Sequence, residues 1–211
     1  MKKTIALCAV AALTGSANAA LTIFTDRAEW EAAVGGGIFT EDFNSLDAQI
    51  IPDGGTLDTG LLQITRDGSP NGGDGLLEIE PGTNFGNIDG TTFISGETGA
   101  APHERVDIEF SGQSIFAFGA DWFSPFSGDG IALEVGNELI LLDSVAGFDV
   151  GFVGFVSDSA TFSQISIVGN PDDLTFQELW SADNFSYAIP APSALALLGM
   201  SGLLAGGRRR R

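Results

Sequence analysis

Short apolar segments separated by turn-forming residues run through most of this chain, and this pattern restricts its fold more than any other feature. From Val106 to Phe110, apolar and acidic residues alternate. Such alternation places one face of a strand in a core and the other in water. The segments recur with Gly, Asp, Asn, Ser and Pro between them, which is typical of an all-β domain. A parallel α/β fold is disfavoured, because helical segments do not alternate with the strands.

Other segments support the same interpretation. Leu21 to Phe24 predicts a short first strand, and Asn137 lies near a turn between two strands. Phe152 to Val156 is apolar on both faces, as expected of a central strand. Alternation places Trp122 on the buried face together with Phe118. The chain has 16 phenylalanines, enough to fill a core between two sheets. We predict a jelly-roll-like, two-sheet antiparallel sandwich.

One short helix is expected near the start of the domain. Thr25 or Asp26 caps it, because a side-chain oxygen at this position accepts from free amides in the first turn. Trp30, Ala33 and Val34 form one apolar stripe along it. A run of three glycines follows and ends the helix.

Residues 1–20 have the pattern of a secretory signal peptide helix. Two lysines precede an apolar run that is too short for a bilayer core, which needs ~20 residues. The sole cysteine, Cys8, lies in this run, so the released chain has no thiol for a disulfide or a metal. We expect signal peptidase to cut at small residues. The candidate cleavage residues are Ala17, Ala19 and Ala20.

Residues 21–187 form one strongly acidic domain. They include all 28 acidic residues but only Arg27, Arg66 and Arg105 as basic ones, which gives a net charge of −25. This balance excludes nucleic acid as a partner, because phosphate recognition requires basic patches. It fits a self-repelling soluble surface, a surface partly neutralised by divalent cations, or adaptation to salty water.

Residues 188–211 form a hydrophobic tail with a basic end. A Pro-Ala-Pro motif precedes an apolar stretch rich in small residues, and four arginines follow. The stretch from Ala188 to Gly207 is just long enough for one helical membrane crossing at ~1.5 Å per residue. By the positive-inside rule, the arginines stay in the cytoplasm and the domain lies outside. The residues of this pattern are Pro190, Ala191, Pro192, Arg208, Arg209, Arg210 and Arg211.

This tail resembles the PEP-CTERM sorting signal, also known as the ice-binding protein C-terminal domain. Members have Val-Pro-Glu-Pro or a variant, a hydrophobic helix and a basic end, and here Ala191 replaces the usual glutamate. The domain is also similar to ectodomains that accompany this tail, in motifs such as Glu41-Asp42-Phe43 and Asp183-Asn184-Phe185. The resemblance implies an inner-membrane intermediate and processing by an exosortase in a Gram-negative bacterium that makes exopolysaccharide. It implies a final location at the cell surface or in the extracellular matrix.

Nothing in the sequence indicates catalysis, and we expect the chain not to be an enzyme. His103 is the only histidine, and no GxSxG motif accompanies it. A secreted glycan hydrolase is the third alternative, because 28 acidic residues offer many carboxylate pairs without a discriminating spacing.

Two groups of residues are candidates for a ligand site. Asp67, Asn71 and Asp74 place hard oxygen donors on one Gly-rich loop, which predicts calcium, although the same residues also form turns. Asp183 is a further calcium candidate. No other cofactor is expected.

The second group combines aromatic rings with carboxylates near a strand end, as in a carbohydrate site. Its residues are Asp121, Phe123, Phe126 and Asp129. With Trp122 in the core, Phe123 or Phe126 is the exposed ring. The leading hypothesis is an exosortase-sorted, non-catalytic surface or matrix protein associated with exopolysaccharide. The alternative is a calcium-dependent carbohydrate-binding module.

Overall fold

The computed structural model describes residues 20–67, 77–98, 105–123, 130–142, 150–170 and 178–190. Most of these residues lie in strands, and one helix accompanies them. In chain order the elements are β1 (Leu21–Phe24), α1 (Arg27–Val34), β2 (Ile38–Glu41), β3 (Gln49–Ile50), β4 (Thr56–Asp58), β5 (Gln63–Arg66), β6 (Leu77–Glu80), β7 (Phe93–Thr98), β8 (Val106–Glu109), β9 (Ala117–Phe123), β10 (Ile131–Val135), β11 (Glu138–Leu141), β12 (Val150–Ser157), β13 (Gln164–Gly169) and β14 (Glu178–Ala188).

The strands form two antiparallel sheets that face each other. The first sheet has eight strands in the order β1-β12-β9-β14-β7-β6-β3, with β2 also paired to β14. The second has six, in the order β11-β10-β13-β8-β5-β4. Ile64 and Ile108 of the second sheet share one hydrophobic core with Phe118 and Trp122 of the first. The predicted all-β, two-sheet sandwich is therefore confirmed.

The alternation in the sequence places the side chains on the correct faces. Ile108 and Phe110 are fully buried whereas Glu109 is exposed, as predicted for the strand around β8. Trp122 is also fully buried, and β12 lies between β1 and β9 as a central strand. The turn near Asn137 connects β10 to β11. Val135 at the end of β10 pairs with Glu138 at the start of β11.

Helix α1 lies on the outer face of the first sheet, against β12. Asp26 caps it by accepting a 2.9 Å hydrogen bond from the backbone N–H of Glu29, and Gly35 ends it with φ 78°. Trp30 is fully buried and donates from Nε1 to the carbonyl of Phe155 at 3.0 Å. The predicted helix is confirmed, but Ala33 is exposed and does not belong to its apolar stripe. A methyl group is too short to reach the sheet that the indole contacts.

The two chain ends contribute little to the described structure. Ala20 and Pro190 are described and exposed, whereas the rest of the signal segment and the tail from Ala191 onward lie outside the described residues. In the part of the chain that the structure describes, no helix is long and apolar enough to cross a membrane.

Trp30 should anchor α1 to the sheet. We expect Trp30→Ala to lower the free energy of unfolding by about 3–5 kcal/mol, the usual cost of removing a buried tryptophan. Trp30→Phe should cost less, because a ring still packs on Phe152, whose centroid lies 5.7 Å away. Urea unfolding of the purified chain measures both. The control is Glu31→Ala at an exposed position of the same helix, which should shift stability by less than about 0.5 kcal/mol. Equal effects of Trp30→Ala and the control would contradict the anchoring role.

Candidate functional site

The side chains of β7, β9 and β14 that point away from the core lie on the outer face of the first sheet. Strand pairing aligns Phe123 of β9 with Ser181 of β14, and Ser181 with Ser95 of β7. The neighbouring row on the same face contains Asp121 and Asp183, which also pair directly. Since alternate residues of a strand share a face, all five side chains lie on the side opposite the core.

A loop of residues 81–92, between β6 and β7, folds over this face. A side chain at Gly82 would place its Cβ 2.2 Å from the carbonyl oxygen of Gly90, so the two ends of the loop cross in backbone contact. Gly86 has φ +90°, and a Cβ there would lie 2.5 Å from Oγ of Ser181. Gly82 therefore allows the two ends of the loop to meet, and Gly86 allows the loop to lie directly on the sheet.

The loop and the sheet enclose a cavity of about 520 Å³. We call it the loop–sheet pocket. Phe85, at the tip of the loop, is 78% exposed and meets Phe123 edge to face, with ring centroids 5.4 Å apart. The exposed Leu179 extends the apolar part of the wall. The polar side chains around the pocket are Glu80, Thr83, Asn84, Ser95 and Ser181.

Glu80 is the carboxylate of this wall. Its Oε1 accepts a hydrogen bond from Oγ of Ser95 at 2.6 Å, and its Oε2 accepts one from Nδ2 of Asn84 at 2.6 Å. A carboxylate has about four lone-pair sites, so each oxygen can accept a further hydrogen bond from a ligand. The pocket thus offers one charged acceptor held in place by the sheet on one side and the loop on the other.

Asp183 of β14 connects the sheet to the end of the same loop, at Thr91. It is 1% exposed, and its Oδ1 accepts from the backbone N–H of Asn184 at 2.6 Å. Burial raises the pKa of Asp183 to about 7, and the charges of Asp89 and Asp121 add to this effect. A carboxyl group in this position holds a proton at mildly acidic pH.

The Thr91 hydroxyl lies between the carboxyl groups of Asp183 and Asp89. Its Oγ1 lies 3.0 Å from Oδ2 of Asp183 and 2.5 Å from Oδ1 of Asp89. A hydroxyl has one proton, so it cannot donate to both carboxylates. The arrangement is satisfied when protonated Asp183 donates to Thr91 and Thr91 donates to Asp89. That hydrogen bond also lowers the pKa of Asp89.

A β-bulge in β14 gives this region its shape. The register with β9 shifts between Asp183 and Ser186, and Asn184 has φ 53°. The bulge directs the Asn184 amide toward Asp121, to which it donates at 3.1 Å. Arg27 of α1 donates to the same carboxylate oxygen at 2.9 Å and to the Asn184 carbonyl at 3.2 Å. Asp121 therefore holds the helix to the sheet.

The structure describes two of the four predicted carbohydrate residues, Asp121 and Phe123, and both lie on the outer face of the first sheet. Phe123 lines the loop–sheet pocket, and Asp121 lies on the same face but is paired with Arg27. Phe126 and Asp129 lie outside the described residues.

The structure describes two of the four predicted calcium residues, and these two lie in different sheets. Asp67 follows β5 in the second sheet, Asp183 belongs to β14 of the first, and Asn71 and Asp74 lie outside the described residues, as does His103. Over the described ranges, no group of three or more His, Cys, Asp or Glu side chains is arranged to hold a metal ion.

Sequence reasoning missed Glu80, Asn84, Phe85, Ser95 and Ser181. A signal for Phe85 was present, because it is a lone ring among Gly, Asn, Thr and Asp residues, in a stretch typical of an exposed loop. A scan against protein-family models finds no match to this chain, and a search of curated proteins finds no similar sequence. The function must therefore be argued from the site.

Asp183 predicts a specific pH dependence of stability. Its pKa is near 7 in the folded chain and 3.8 when exposed, so between these values the folded state retains a proton that the unfolded state has released. Stability from this group therefore falls as the pH rises from about 4 to about 7. Asp183→Asn cannot ionise, so its free energy of unfolding relative to that of the parent should rise over this range, by at most roughly 4 kcal/mol in all at about 1.4 kcal/mol per pH unit.

Thermal unfolding at a series of pH values measures this difference. Asp47→Asn removes an exposed carboxylate and is the matched control, for which the difference should stay flat. A flat difference for Asp183→Asn as well would show that Asp183 ionises normally.

Proposed function

We propose that this chain is an exported, non-catalytic surface or matrix protein that binds a glycan in the loop–sheet pocket. The observation that carries the proposal is Phe85, which is 78% exposed beside a pocket with a hydrogen-bonding wall. Exposing a phenylalanine ring to water leaves favourable burial unused, at ~25 cal/mol per Å² of apolar surface. A ligand with an apolar face recovers that energy, and the carbon-bound hydrogens of a pyranose ring form such a face.

The dimensions and the polar groups of the pocket support a sugar ligand. Its volume of about 520 Å³ falls within the usual ~300–1,000 Å³ for small-ligand sites. Glu80 and Asn84 offer acceptor oxygens, and the hydroxyls of Ser95 and Ser181 can donate or accept. Sugar hydroxyls need both kinds of partner, whereas a purely apolar ligand would leave these groups unpaired.

The groups that define the pocket are rigidly mounted. Phe123, Ser181 and Ser95 are side by side on three adjacent strands, and Gly86 holds the loop against Ser181. A preformed site loses less entropy on binding than one that must order a loop. This favours a binding protein that recognises a repeating surface polymer.

The location remains part of the proposal and rests on the two chain ends. The signal segment directs export, and the tail that resembles PEP-CTERM directs exosortase sorting to the surface or the exopolysaccharide matrix. We also propose jelly-roll connectivity, which is supported by the alternation of β8, β9 and β10 between the two sheets. The calcium dependence of binding stays a prediction, as does the glycan hydrolase alternative.

Phe85→Ala tests the pocket directly. We expect a loss of at least about tenfold in glycan affinity, typical of removing an aromatic anchor. Stability should be nearly unchanged, because the side chain is mostly exposed. Leu139→Ala is the control, since Leu139 is 41% exposed on β11 of the other sheet. Screening the parent on a glycan array, with calcium and with chelator, identifies the ligand and tests the calcium prediction. The absence of binding under both conditions would refute the proposal, and turnover of a bound glycan would favour the hydrolase.

Removal of residues 190–211 tests sorting. If the tail is the sorting signal, a tagged chain without it should lose proteolytic processing and surface display, because the exosortase has no motif to recognise. Ala191→Glu restores the usual motif and should retain both. Fractionation and immunoblotting of the tagged chains give the readout. Unchanged processing and display after the deletion would mean that the tail has another role.

A further inference from the structure

We infer that the glycan bound in the loop–sheet pocket is an amino-sugar polymer with free, protonated amino groups. This inference rests on the proposed function and adds the chemical class of the ligand. It depends on the charges around the pocket and on their partners.

Two carboxylates of β6 lie close enough to interact, one in the wall of the pocket and one beside it. Glu78 and Glu80 are alternate residues of β6, so both side chains are on the outer face of the sheet. Glu80 lines the pocket, and Glu78 pairs with Ser95, which also lines it. Burial raises the pKa of Glu78, and the charge of Glu80 adds to this effect. The two groups therefore repel each other, and a ligand ammonium group between them would relieve that repulsion.

The domain has no free cation to balance this pair or to bind an acidic sugar. Its three arginines are all in the described structure, and each is paired with a carboxylate. The distances are 2.9 Å for Arg27 to Asp121, 2.5 Å for Arg66 to Asp53 and 2.8 Å for Arg105 to Asp107. With a net charge of −25 over residues 21–187, the domain repels uronic-acid polymers and attracts cationic ones.

The aromatic part of the pocket favours the same ligand. Phe85 remains 78% exposed although it contacts Phe123, so its ring is accessible to a pyranose ring. The face of an aromatic ring also attracts a cation within about 6 Å. A glucosamine unit has an apolar ring face and an ammonium group on adjacent atoms, and therefore matches a ring beside a carboxylate. A neutral sugar can also donate a hydroxyl hydrogen bond to the carboxylate, but it lacks the positive charge that strengthens this contact.

Titration of the full chain with four β-1,4-linked trisaccharides separates the ligand classes. Their units are glucosamine, N-acetylglucosamine, glucose and glucuronate, so the ring geometry is shared and the charge differs. We expect the glucosamine trisaccharide to bind at least about tenfold more tightly than the glucose one, the ratio for one charge-assisted hydrogen bond. Its affinity should fall with added salt, which shortens the screening length from about 30 Å at about 0.01 M to about 8 Å at about 0.15 M.

Glu80→Gln should lower the affinity for the glucosamine trisaccharide by a larger factor than the affinity for the glucose trisaccharide, and so remove the preference. Residual binding of the glucose trisaccharide that is still lost with Phe85→Ala shows that the pocket is intact. Glu78→Gln, which alters no hydrogen bond to the loop, should reduce the preference by a smaller factor. Glu109→Gln is the matched control, because it removes the same charge from an exposed position on β8 of the other sheet. It should leave the preference unchanged.

The possible failures are distinguishable. Equal or tighter binding of the glucose or glucuronate trisaccharide, lost with Phe85→Ala, overturns the amino-sugar inference and keeps the glycan-binding proposal. Binding of none of the trisaccharides or array glycans overturns both. If trilysine binds as tightly as the glucosamine trisaccharide and both are insensitive to Phe85→Ala, the attraction is general charge attraction and the inference is wrong.

Discussion

Burial of aromatic rings between the two sheets is the interaction on which the rest of the structure depends. Trp122 of β9 packs on Trp180 of β14 with ring centroids 6.2 Å apart, and Phe118 packs on Phe185 at 5.5 Å. Cys8 is the only cysteine of the chain, so no disulfide within the chain supports this core. Each buried ring removes about 150–250 Å² from water, so these rings contribute a large share of the area that the core buries. The core also keeps β9 and β14 adjacent, and these strands carry the candidate site on their opposite face.

The acidic side chains on the outer face of the first sheet lie in three different environments. Where arginine is available, as with Arg27 at Asp121, a carboxylate is paired and connects two elements. Where it is not, burial raises the pKa of Asp183 to about 7, and its carboxyl group is hydrogen-bonded to Thr91 of the loop. Glu78 and Glu80 are not paired with an arginine, and neither is buried as deeply as Asp183. Their unbalanced charge beside an exposed ring is the chemical basis of the ligand that we propose.

Local pattern predicted the helix and several strands, among them β1, β8 and β12, because their causes are local, but it identified none of β2 to β7. The alternation around Ile108 predicted a buried face, and Asp26 and Gly35 marked the ends of α1. The same logic placed Trp122 in the core and thereby directed Phe123 to the outer face, where it lines the pocket. Ala33 was wrong because the width of the contact between helix and sheet depends on side-chain length, which a periodic pattern does not measure.

The amino-acid sequence by itself determined an all-β, acidic, disulfide-free domain with one capped helix, since periodicity, charge and cysteine content are properties of the chain alone. Only the tertiary structure decided which loop covers the outer face and which residues meet there. Phe85 reaches Phe123, and Gly86 reaches Ser181, across long stretches of sequence. Those contacts follow from strand order, because β6, β7, β14 and β9 become neighbours only when the sheet assembles. No local pattern contains that order, so a pocket built from four strands and a loop appears only in the folded chain.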